Sequence, residues 1–153
     1  ILLKQLVGQS IQVKQVIVAQ DPNEKGIRKA LNFGHTFGHA FESLALAKQK
    51  PILHGYAVAY GMVCELYMSC LQSSFPKDKM RQTIHFIKEN YGLFSFGCDD
   101  YHHLYQLMLH DKKNENDVIN FTLLEDVGKI QINQQADRKT IEEVLDFYRE
   151  CME

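Results

Sequence analysis

The chain has 153 residues, 45% of them hydrophobic, with 17 basic against 19 acidic side chains and a net charge of −2. That length and apolar content are enough to bury one ordinary core. The balanced charge argues against a nucleic-acid partner, no apolar run approaches a membrane span, and the N-terminus lacks a basic–apolar–small leader pattern, so a cytoplasmic location is expected.

In chain order, residues 1–20 predict a helix end, a break near Gly8-Gln9-Ser10 and a second helix, and Asp21-Pro22-Asn23 marks a turn. Residues 28–46 predict one continuous helix. At 100° per residue, Arg28, Asn32, His35 and His39 fall in a stripe about 60° wide. Ala30, Phe33, Phe37, Ala40, Phe41 and Leu44 lie opposite, on the face such a helix buries. Gly34 and Gly38 inside it cost about 1 kcal/mol each relative to alanine. A compensating close approach by another helix or a ligand is therefore expected.

His54 opens the next predicted helix, over 55–72, and the loop with Pro51 folds it back antiparallel. Its all-round apolar content, with Val58, Met62, Leu66 and Met68, predicts a central position. Pro76 starts a helix to about residue 90, and Asp99-Asp100 precede one to about residue 110. After a charged stretch over 111–117, residues 118–124 and 129–132 read as a small hairpin. The last helix covers about 139–151, with Ile141, Val144, Leu145 and Tyr148 on one face. The expected fold class is mainly α and multi-helical, with a small β-hairpin near the C-terminus. Cys64, Cys70, Cys98 and Cys151 lack zinc-like spacing and are expected as free thiols.

Chemistry concentrates between Glu24 and Met62. His35 and His39, four residues apart on a helix, can hold one transition-metal ion, and His54 can add another ligand. The alternative is that these imidazoles only hydrogen-bond their neighbours. His85, His102, His103 and His110 have no partner pattern and read as surface or packing residues.

The run R-x-x-x-N-x-G-H-x-x-G-H-A-x-E from Arg28 to Glu42, followed by H-G-x-A-V-A-x-G-M from His54 to Met62, resembles the signature of the 3-dehydroquinate synthase family. The likeness extends upstream to Lys14, Asp21 and Glu24. Downstream it reaches Asp111-Lys112-Lys113 and residues 118–128. The pattern departs at Tyr56, where the family often carries an acidic residue.

The resemblance implies an NAD-dependent, divalent-metal-dependent sugar phosphate cyclase, using zinc or cobalt. Its reaction turns 3-deoxy-arabino-heptulosonate 7-phosphate into 3-dehydroquinate and phosphate, a step of aromatic amino-acid biosynthesis. It implies His35 and His54 as metal ligands, joined by a glutamate from elsewhere in the protein, and His39 as a substrate contact; helical spacing alone pairs His35 with His39. It further implies Arg28, Asn32, Lys14, Glu24 and Lys112 or Lys113 as substrate-binding residues, with His39, Arg28 and Asn32 closest to the chemistry.

The chain begins at Ile1 and has no Gly-rich turn to cradle a dinucleotide. The expectation is thus that residues 1–153 form a single C-terminal domain, that an N-terminal NAD-binding domain is missing, and that the piece is inactive and binds metal weakly alone. Complete family members imply a homodimer. Two other readings stand beside this one: a different cyclase or glycerol-dehydrogenase-like enzyme, and a non-catalytic helical dimerisation or binding module.

Overall fold

In a computed structural model, which describes residues 1–111 and 117–153, helices dominate and one hairpin lies near the C-terminal end. The helices are α1 (Leu2–Gln20), α2 (His35–Ala47), α3 (His54–Ser73), α4 (Lys77–Tyr91), α5 (Tyr101–Leu109) and α6 (Arg138–Met152). Strands β1 (Phe121–Asp126) and β2 (Lys129–Gln134) form the hairpin. The expected fold class is what the chain adopts.

Helix α3 is the central rod. Ala57, Val63, Cys64, Leu66 and Met68 are buried around its circumference, as its all-round apolar sequence requires. It packs on α2, α4, α6 and β1. Helix α6 is the contrasting amphipathic case. Ile141, Val144, Leu145 and Tyr148 turn inward, and the Asp137 carboxylate caps the first turn by accepting from the Thr140 amide at 2.8 Å. The apolar face of α2 meets an aromatic cluster in which the Phe41 ring lies 5.3 Å from both Phe96 and Tyr148. The Tyr148 hydroxyl donates to the Phe94 carbonyl, and burial pushes its pKa well up.

The hairpin pairs antiparallel, with Leu123 opposite Gln131 and Leu124 opposite Ile130. Gly128 takes the left-handed conformation its tight turn needs, at φ 78°. Phe121 and Leu123 are fully buried beneath α3.

Two predicted elements differ from the structure. Residues 1–20 do not break at Gly8: α1 is continuous, has no buried residue, and touches the body of the protein through the turn that follows it. A glycine weakens a helix without ending it when no proline or cap follows, and nothing lies within 4 Å of Gly8 to exploit the bare backbone.

The helix expected over 28–46 is two pieces. A 3₁₀ segment, Ile27–Asn32, ends at Phe33, and α2 starts afresh at His35 with Gly34 left-handed at φ 80° as its N-cap. The cause is a crossing with α3. A Cβ on Gly61 would collide with the Gly34 carbonyl oxygen and lie 2.6 Å from the Gly38 amide nitrogen. The close approach expected at these glycines is therefore made, but by breaking the helix rather than bending it.

Candidate metal centre

The α2–α3 crossing brings His35 and His39, on the first two turns of α2, against His54, the first residue of α3. Ring centroids lie 5.4 Å apart for His35–His39 and His35–His54, and 5.7 Å apart for His39–His54. One nitrogen from each ring lies within 4.8 Å of those of the other two. Among the described residues this is where three metal-capable side chains converge.

Each ring is oriented by an acceptor at Nδ1. His35 faces the Phe33 carbonyl at 3.1 Å, His39 the Asp111 carboxylate at 2.9 Å, and His54 the Glu42 carboxylate at 2.9 Å. A ring that donates Nδ1–H to an oxygen keeps its lone pair on Nε2, the tautomer a metal takes. Phe33 presents its carbonyl because it sits in the break between the two helical pieces, with ψ 130°. Asp111 is the more enclosed carboxylate, 10% exposed against 39% for Glu42, so its pairing is less screened.

The set fits a small divalent cation. Metal–nitrogen bonds of about 2.0–2.1 Å in a tetrahedral site put ligand nitrogens about 3.4 Å apart. The rings then need to close by at most about 1.4 Å. Imidazole suits zinc and cobalt, and the carboxylate or carbonyl behind each ring raises its basicity.

The remaining sequence-predicted residues are distributed unevenly. Asn32 donates to the Glu24 carboxylate at 2.7 Å, and both line a polar cleft of about 590 Å³ with Lys25, Lys29, Asn120 and Asn133. Glu24 holds a left-handed backbone, φ 53°, in the turn that Asp21 organises. The Asp21 carboxylate accepts from the amides of Lys25, Gly26 and Arg28, which hold its pKa below the ordinary value. The Arg28 guanidinium donates to the Pro22 carbonyl at 2.8 Å. Because the helix breaks at Gly34, Arg28 and Asn32 do not continue the His35–His39 stripe; the single-rod geometry is replaced by a turn with its own anchors. Lys14 is exposed on α1. Lys112 and Lys113 lie outside the described residues.

His85, His102, His103 and His110 are all exposed and are not among the three clustered imidazoles. Sequence reasoning missed Glu42 and Asp111 as ring partners, although both stand inside the runs it singled out. Tyr56 packs edge-on against Tyr91, with centroids 5.2 Å apart.

The sequence model of the family described as 3-dehydroquinate synthase C-terminal matches residues 2–114. A 3-dehydroquinate synthase of Parabacteroides distasonis is 59% identical over 148 residues, which is 97% of this chain and 42% of that protein. One of Corynebacterium diphtheriae is 36% identical over 95% of this chain and 39% of its own length. The chain thus spans about two fifths of the length of these curated relatives. Among solved structures, a 2-deoxy-scyllo-inosose synthase complexed with carbaglucose-6-phosphate, NAD+ and Co2+ superposes with a TM-score of 0.74 at 25% identity, over 97% of this chain and 41% of that one. A 2-epi-5-epi-valiolone synthase from Streptomyces hygroscopicus, with NAD+ and Zn2+ bound, has the same fold, with a TM-score of 0.76 at 16% identity over 95% of this chain and 40% of its own.

Proposed function

The chain belongs to the 3-dehydroquinate synthase C-terminal family, and from that premise we propose that it is the metal- and substrate-binding part of a 3-dehydroquinate synthase, acting on 3-deoxy-arabino-heptulosonate 7-phosphate. The observation that carries this reading is the convergence of three imidazoles, each with Nδ1 already engaged. A merely structural histidine cluster has no need to bring one nitrogen from each of three rings within 4.8 Å of one another.

His35 and His54 hold the divalent ion, with a further protein ligand supplied from outside this chain. His39, steered by Asp111, presents Nε2 to a substrate hydroxyl and accepts its hydrogen bond. Asn32, fixed by Glu24, offers an amide to hydroxyl or carboxylate oxygens, and the Arg28 fork suits a planar oxyanion. Lys14 and one of Lys112 or Lys113 supply compact charge to the phosphate. A divalent ion held by His35 and His54 would supply Lewis-acid polarisation of the substrate's oxygens, and a bound NAD+ would supply redox chemistry. The chain's own contribution is to hold the substrate's conformation and charge while phosphate leaves.

The described strands are one antiparallel hairpin, and this chain spans about two fifths of its curated relatives' length; in this reading the nucleotide-binding part is a separate domain of the same enzyme. The 153-residue piece alone is inactive, and homodimeric assembly and a cytoplasmic location go with this reading.

A second reading rests on the mutual distances: the His39 ring lies 5.4 Å from His35 and 5.7 Å from His54, against 5.4 Å between those two, so it serves as third ligand whenever the outside ligand is absent. The test is phosphate release from the heptulosonate phosphate with NAD+, in the intact gene product or with the nucleotide-binding half supplied in trans. His35→Ala and His54→Ala should each abolish turnover. Full turnover by either variant rejects the assignment.

A further inference from the structure

Among the described residues Glu65 is the fully buried acid, 0% exposed in the middle of the largely apolar α3. A buried carboxylate is costly unless its oxygens are matched. Here they accept from the amides of Gly34 at 3.1 Å and Phe37 at 3.4 Å, the residues on either side of the His35–Thr36 start of α2. Those amides belong to the helix start, where donors lack intrahelical partners and the dipole favours negative charge.

One turn earlier on α3, Gly61 lies directly against the Gly34 and Gly38 backbone. On the following turn, the Ser69 hydroxyl donates to the Glu65 carbonyl and accepts from the Leu124 amide of β1. The first turn of α2 is thereby fastened to α3 at two levels. His35 sits in that turn, while His54 begins α3.

We propose that Glu65 is a positioning residue for the metal centre: by clamping the first turn of α2 onto α3, its carboxylate sets the separation and aim of His35 relative to His54. This rests on the reading that those two imidazoles share an ion. Glu65 lies outside the signature residues that point to the metal, and it acts through backbone amides rather than on the cation.

The test uses the intact gene product with Glu65→Gln, Glu65→Ala, His35→Ala and Leu145→Ala, the last removing core volume from α6, where Leu145 is fully buried. Cobalt(II) alone is titrated into each, with the visible d–d absorption recorded alongside thermal melting. Glutamine keeps one oxygen acceptor but turns its carboxamide NH2, a donor, towards a backbone N–H donor, so E65Q should bind cobalt about 10-fold more weakly with an altered band. E65A should lose about 100-fold. L145A should melt earlier yet bind cobalt with the parent's affinity and spectrum.

Parent-like affinity and spectrum in E65Q overturn the proposal, whether or not E65A folds. So does a loss in L145A equal to that in E65Q, because stability alone then accounts for it. If H35A titrates like the parent, the metal assignment itself fails. If H35A loses cobalt while E65Q does not, only the role of Glu65 fails.

Discussion

Replacing Gly61 by alanine tests the packing that builds the metal centre. The added methyl would overlap the Gly34 carbonyl oxygen and stand 2.6 Å from the Gly38 nitrogen, both of them backbone atoms that no rotamer change can move. Restoring ordinary contact requires α2 and α3 to separate by about 1 Å, and overpacking of this kind costs about 2–3 kcal/mol. For a domain of this size that corresponds to a fall in melting temperature of about 5–10 °C. Because His35 and His54 lie on opposite sides of this crossing, the same shift should weaken cobalt binding. Gly8→Ala is the matched control: nothing lies within 4 Å of Gly8 on α1, so alanine there should stabilise the helix by up to about 1 kcal/mol. Calorimetry and cobalt titration on both variants decide the matter. A Gly61→Ala protein that melts within a degree of the parent and binds cobalt equally well would refute the argument.

Glu42→Ala frees the His54 ring, and metal affinity measured by competition with a chromophoric chelator should fall about 10-fold. Unchanged affinity would mean that Glu42 does not orient the ring. Asp21 has its pKa depressed by the Lys25, Gly26 and Arg28 amides, so the stability it contributes is present above its unfolded pKa of about 3.9 and is lost as pH falls through the lower folded value. Asp21→Asn should therefore be less stable than the parent at pH 7, and the gap should close as pH falls through the lowered folded value; urea melts whose gap does not shrink on acidification would contradict this. Burial pushes the Cys151 thiol up to about 11 and that of Cys64 well above its ordinary range, whereas Cys98 is exposed. Mass spectrometry after brief alkylation at pH 7.5 should find label on Cys98 first, and early label on Cys64 would be inconsistent with the packing.

Long periodic segments were legible before any coordinates. The largely apolar α3, the amphipathic α6 and the hairpin around Val127-Gly128 lie within a few residues of where pattern and turn chemistry place them. The three imidazoles were legible as a group because helical spacing and one short loop suffice to bring them together. What sequence could not supply was the break at Gly34. A glycine that caps a new helix in the left-handed conformation reads the same as one inside a continuous helix, and only the pressure of Gly61 from α3 separates the two cases. That break moved Arg28 and Asn32 off the histidine stripe and onto a turn anchored by Asp21. Glu65 did leave a trace, as a lone acid between Cys64 and Leu66 in an apolar run. Its partners are amides 28 and 31 residues away, which no local pattern reveals. The same holds for Asp111, which reaches His39 across 72 residues.

The most direct test of the shared cation is anomalous diffraction from crystals of the intact gene product soaked in cobalt. A single peak about 2.1 Å from ring nitrogens of both His35 and His54 is the expected result. Cobalt bound elsewhere, with those two rings turned away from each other, would contradict it.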